Sequence, residues 1–169
     1  AELKKAYYSN GREVNNNYEL ANAYVTAGDP ASARWAYGEA LKSNAGYDEI
    51  YYNQAIVEKR LGLTEAALSD LKVSAFINPL NAAAFNALAE IYARDGRRYA
   101  KEAAELLEAA GKIFPRDANI LNMLGYFYTL LKDYRKAKNA YGAGVRENPG
   151  NAILVRNLAA TAAQLGLKS

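Results

Sequence analysis

The side chains that carry most enzyme chemistry are missing from this sequence. Its 169 residues include no cysteine and no histidine, which removes thiolate nucleophiles, disulfides, thiolate and imidazole metal ligands, and the commonest general base. Glu58 follows Gln54 by one helical turn and interrupts an apolar stripe. A buried carboxylate can be tuned for proton transfer, yet no second catalytic group accompanies this one, and it is expected to reach solvent or pair with a nearby cation. Glu102, Glu105 and Glu108 read as a solvated face, with Lys101 four residues before Glu105. Lys59, Arg60, Arg94, Arg97 and Arg98 form a cationic series that suits an acidic or phosphorylated segment, although the helix dipole also favours cations in a last turn. No phosphate loop, paired metal-ligand motif or catalytic triad can be assembled. The chain therefore reads as a non-enzyme, with no catalytic, cofactor or metal site expected.

The elements that position these side chains must come from one soluble domain. Hydrophobic residues make up 51% and charged residues 23%, and no apolar run approaches the length of a membrane span. Direct membrane insertion is not expected. The 21 basic and 18 acidic side chains leave a net charge of +3 with interspersed signs, too weak a field to make nucleic acid the default partner. Ala1 is not followed by the charged, apolar and small-residue series of a signal peptide, and the chain is expected to be a processed product or an excised fragment. No compartment is encoded.

A repeat organises the whole sequence. Gly28, Gly62 and Gly96 are spaced by 34, as are Ala33 and Ala67, and Ala103 and Ala137. Ala67 to Ala103 and Pro79 to Pro115 are 36 apart, which places a two-residue insertion within Arg97-Arg98-Tyr99-Ala100. Each period holds two apolar stripes at helical spacing, such as Leu124, Gly125, Tyr128 and then Ala137, Tyr141, Gly144. Two helices per period are predicted. Asp29 is expected to cap a helix that begins at Pro30, and Asn81, Asp117 and Asn151 to cap the helices that follow them.

The pattern resembles the tetratricopeptide repeat family, in which Leu-Gly, Tyr, Ala, an aromatic residue, Ala and Pro recur at fixed offsets in 34 residues. Residues 118–151 carry Leu121, Leu124-Gly125, Tyr128, Ala137, Tyr141, Gly144 and Pro149. Residues 14–47, 48–81 and 82–117 carry most of the set. The departures are Asn17, Ala45, Lys132 at a turn glycine, and Gln54 with Glu58 at two apolar sites. The resemblance implies an all-α, right-handed α-solenoid of stacked helix-turn-helix repeats, a single domain over 1–169. Residues 1–13 read as a short helix ending at Asn10-Gly11, and 152–169 as a capping or partial-repeat helix.

In that family one face of the first helices lines a concave groove that binds peptides. Here that face carries Tyr18, Asn22, Glu49, Tyr52, Asn53, Lys59, Arg60, Asn86, Glu90, Arg94, Asn119, Asn122, Met123, Tyr126, Arg156 and Asn157. Asparagine offers donor and acceptor to an extended main chain, and tyrosine adds stackable area at low entropic cost. A peptide segment of a partner protein is the expected ligand. The family's two-carboxylate clamp is only half matched: Asn22 and Asn53 fit, but Tyr18, Ala83 and Ala87 replace its cations. The alternative is self-association or docking through an apolar surface of the last helix, formed by Ile153, Leu154, Leu158, Leu165 and Leu167.

Overall fold

The structure, a computed structural model, describes residues 2–166, with side chains described from Val14 onward. Among the described residues there are nine helices and no strand: α1 (Glu2–Ala27), α2 (Pro30–Ser43), α3 (Asp48–Arg60), α4 (Thr64–Ile77), α5 (Ala82–Arg94), α6 (Gly96–Ile113), α7 (Ala118–Leu130), α8 (Tyr134–Glu147) and α9 (Ala152–Gln164). The chain divides into two compact units, Ala1–Ala84 and Phe85–Ser169. In the first, α1 pairs with α2 and α3 with α4, and α2 also packs on α3. In the second, α7 pairs with α8, and α6 and α9 pack on α7 and α8 respectively. Connections this short make each pair a helical hairpin. No described helix is long and apolar enough to cross a membrane.

Helix starts follow from their caps. The Asp29 carboxylate accepts the Ser32 N–H at 3.0 Å ahead of Pro30. Asp117 accepts from Asn119 and Ile120, Asn151 from Ile153 and Leu154, and Asn81 from Ala84, satisfying amides that have no partner inside the helix. Between hairpin helices the chain needs one left-handed residue. Gly28 and Gly62 supply it, each with φ +76°, and let Asp29 N–H reach the Tyr24 carbonyl and Leu63 N–H that of Glu58, both at 2.9 Å. Lys132 makes the equivalent turn with φ +60°, and Asp133 N–H reaches Tyr128 O at 2.9 Å.

Small residues set the packing distance. Ala21, Ala33, Ala36 and Ala40 are fully buried around Tyr37, Ile50 and Val57 in the first unit. Gly125 approaches so closely that a Cβ there would lie 2.6 Å from the Tyr141 ring, which explains the glycine of the Leu-Gly pair. Leu71, Leu107 and Ile120 are fully buried, and burial of each stabilises the fold by about 2 kcal/mol.

Two expectations are corrected. The break at Asn10-Gly11 does not occur, because α1 runs unbroken from Glu2 to Ala27; an interior glycine costs only about 1 kcal/mol, and no proline removes a hydrogen bond. The two-residue insertion is absorbed into the start of α6, an 18-residue helix. Leu154, assigned to an apolar docking surface, is fully buried with its side chain against Gly144. Leu167 lies outside the described residues.

Glu58 takes a cation as partner, and it does so inside the core. It is 1% exposed, and Arg34 Nε donates to its Oε1 at 2.7 Å. Asp70 on α4 faces the pair, with Gln54 donating to its carboxylate. Burial, and then the Glu58 charge, push the Asp70 carboxyl up to about 6 against the opposing effects of Arg34 and Gln54. Glu58 Oε2, Asp70 Oδ2, Gln54 Oε1 and Ser74 Oγ are buried without a hydrogen-bond partner.

Candidate functional site

In the first unit the first-helix face is already wired together. Tyr18 on α1 donates its hydroxyl proton to Glu49 Oε1 at 2.6 Å and accepts from Asn53 Nδ2 at 3.0 Å. Tyr37 reaches from α2 and donates to Asn22 Oδ1 at 2.6 Å, with its ring 6.0 Å from that of Tyr18. Burial pushes the Tyr37 hydroxyl up to about 12; burial, and then the bond to Glu49, also raise that of Tyr18. Both hydroxyls thus stay protonated donors throughout the neutral range. A small cleft opens beside this cluster, between Val14, Asn15, Tyr18, Tyr47, Glu49 and Ile50. It offers an apolar floor, two aromatic rings and a carboxylate.

In the second unit, Asn86 and Glu90 of α5 and Asn119, Asn122 and Met123 of α7 line an open cleft of about 260 Å³. Asn157 Nδ2 on α9 donates to Asn122 Oδ1 at 3.2 Å. The bonds from Asn53 to Tyr18 and from Asn157 to Asn122 both link residues 35 apart, one period plus one residue. The repeat therefore generates the same contact in each unit. Such bonds fix the side chains in one geometry before any ligand arrives, which lowers the entropic cost of binding.

Of the predicted site residues, Tyr18, Asn22 and Asn53 converge on the first cluster, and Asn86, Glu90, Asn122 and Asn157 on or beside the second cleft. Others do not join them. Arg60 lines a separate cleft with Val25, Gly28, Pro30 and Val57. Tyr126 packs its ring on Phe127 at 5.1 Å and turns its hydroxyl toward Gly96. Tyr52 and Lys59 are half-buried, and Arg94 and Arg156 are exposed away from both clefts. Glu49, Asn119 and Met123, which helical offsets place on the same first-helix face, complete the two sites, and Tyr37 joins them without having been selected from sequence. Tyr37 belongs to the second-helix stripe, and only the structure brings its hydroxyl through to the first-helix face.

The tetratricopeptide repeat pattern matches residues 18–75 and again residues 118–151, together more than half of the sequence. The chain belongs to the tetratricopeptide repeat family. No curated protein sequence matches it. Among solved structures, a MamA protein superimposes with a TM-score of 0.82 at 21% identity, covering 93% of this chain and 85% of that one. MamA from Desulfovibrio magneticus RS-1 gives 0.77 at 18% identity, covering 91% and 86%. YrrB, described as a TPR protein with an unusual peptide-binding site, gives 0.78 at 18% identity, covering 100% and 86%. At these identities the likeness is one of fold: the all-α solenoid of this repeat family, a scaffold for protein–protein interaction.

Proposed function

We propose that this protein is a non-enzymatic scaffold that holds a peptide segment of a partner protein against its first-helix face. The observation that carries this reading is the cleft between α5 and α7, where Asn86, Glu90, Asn119, Asn122 and Met123 face a common space. Amide side chains there offer the complementary donors and acceptors that an extended main chain requires, and Met123 offers an adaptable apolar contact. The Tyr18, Asn53 and Glu49 cluster provides a second, pre-ordered patch in the other unit. That YrrB carries a peptide-binding site on the same fold supports the reading by analogy.

The test is selection of peptides from a displayed random library on the immobilised chain, followed by affinity measurement for the Asn86→Ala and Asn122→Ala variants. Selected peptides should bind each variant at least about tenfold more weakly, the loss expected when hydrogen bonds of about 1.4 kcal/mol disappear. Equal affinity for all three proteins contradicts the reading.

A second reading has its own observation. Ile153 is 53% and Val155 45% exposed on α9, apolar surface that suits self-association. Leu158 and Leu165 are partly buried. Sedimentation equilibrium of the parent and of Ile153→Glu/Val155→Glu decides it: a concentration-dependent dimer lost in the double variant favours assembly, and a monomer throughout excludes it.

A further inference from the structure

Two departures from the repeat pattern meet at one place in the second unit. The insertion adds Arg97 to the first turn of α6, and Lys132 occupies the α7–α8 turn where Gly28, Gly62 and Gly166 stand in the other repeats. Arg97, Lys132, Leu130, Leu131 and Tyr134 line one open cleft of about 530 Å³. Among the described residues Lys132 is the one non-glycine with a left-handed backbone, at φ +60°. L side chains enter that region at a cost, and such strain collects where the side chain has a use.

The electrostatics of the cleft favour an anion. Neither Arg97 nor Lys132 has a carboxylate partner among the described residues. Other nearby cations are engaged: Lys136 contacts Glu108 at 3.2 Å and lies over the Tyr128 ring, and Arg98 lies 4.9 Å over Tyr99. Asp133 accepts the Lys136 N–H as the cap of α8, and neither it nor Asp95 lines the cleft. Asp95, the N-cap of α6, makes no side-chain bond to the first turn of that helix. Two full positive charges, one a planar fork and one a point charge, match a dianion better than a single carboxylate. Leu130 and Leu131, half-buried and exposed respectively, supply apolar wall for the residues that flank it.

We propose that the cleft between the first turn of α6 and the α7–α8 turn binds the phosphoryl group of a phosphorylated serine or threonine within a peptide segment. The site is separate from the first-helix face and does not depend on that reading. Arg97 grips two phosphoryl oxygens, Lys132 takes the third, and the flanking apolar residues lie on Leu130 and Leu131.

Calorimetric titration at low ionic strength tests this with four probes: a Leu-phosphoserine-Leu peptide blocked at both ends, its serine and glutamate counterparts, and inorganic phosphate. The phosphopeptide should bind most tightly and inorganic phosphate should compete with it. Arg97→Gln and Lys132→Gly should each weaken phosphopeptide binding by about tenfold or more, the loss of one charge-assisted contact. Lys132→Gly also relieves the turn and should raise Tm by about 2–4 °C, so the binding loss cannot be ascribed to unfolding. Variants that bind as tightly as the parent overturn the proposal. So does equal binding of the serine and phosphoserine peptides, or no binding of any probe. Binding of inorganic phosphate with no gain from the peptide overturns the assignment to a peptide ligand.

Discussion

At the scale of single residues, the sharpest departure from an ordinary repeat core is the group formed by Arg34, Gln54, Glu58 and Asp70. Asp70 carries a folded-state carboxyl pushed up to about 6 from an ordinary 3.8, so the folded state holds its proton more tightly than the unfolded chain does. The stability this group contributes is therefore complete below about pH 4 and is lost as pH rises through about 6. Removing the charge should remove that slope. The difference in urea midpoint between Asp70→Asn and the parent should grow in favour of the variant from about pH 4 to pH 7; parallel curves contradict this. Gly125 supports a second prediction. A methyl group at 2.6–2.8 Å from three Tyr141 ring atoms forces a repacking of α7 on α8, so Gly125→Ala should cost about 2 kcal/mol in chemical denaturation.

The helices themselves were largely legible from the sequence, because their signals are local. Asp29-Pro30, Asp117 and Asn151 announce helix starts that the structure realises with side-chain bonds to the following amides. Asp117→Ala leaves two amides of α7 without a partner and should lower stability by about 1 kcal/mol with little change in the urea slope. Asn10-Gly11 misled for the converse reason: the same residue types punctuate a chain or pass unnoticed inside a helix, and only continued backbone bonding decides between them. The candidate site was legible in part. Offsets along a first helix select Tyr18, Asn22 and Asn53 in the first unit and Asn86 and Asn122 in the second, but they say nothing of a partner on another helix. Tyr37 reaches Asn22 through the core, and Glu49 meets Tyr18 across 31 residues of chain. Leu154 shows the same limit, since an apolar residue on the last helix reads alike whether it faces solvent or, as here, the preceding helix.

For the whole molecule, stability in a repeat stack is the sum of each hairpin and its contacts with its neighbours. Close approach at Gly125 and Gly144 ties α7, α8 and α9 together, whereas the buried polar group leaves four oxygens of α3 and α4 without partners, each a cost to stability. Gln54→Leu/Glu58→Leu restores apolar residues at those two positions but takes the partner from Arg34 and the Gln54 donor from Asp70, and is expected to lower stability by about 1–3 kcal/mol in urea denaturation. The near balance of charge over the chain, at +3, predicts that peptide affinity at the first-helix face changes little with salt, while binding at the Arg97 and Lys132 cleft falls as salt rises. The two surfaces can thus be separated in one preparation. The most direct measurement is amide chemical-shift mapping of the labelled chain with a library-selected peptide. With peptide capture on the first helices, perturbations should concentrate at Asn86, Glu90, Asn119, Asn122 and Met123, with a second set at Tyr18, Glu49 and Asn53; perturbations confined to Ile153 and Val155 on α9, or to the second helices, would contradict peptide capture there.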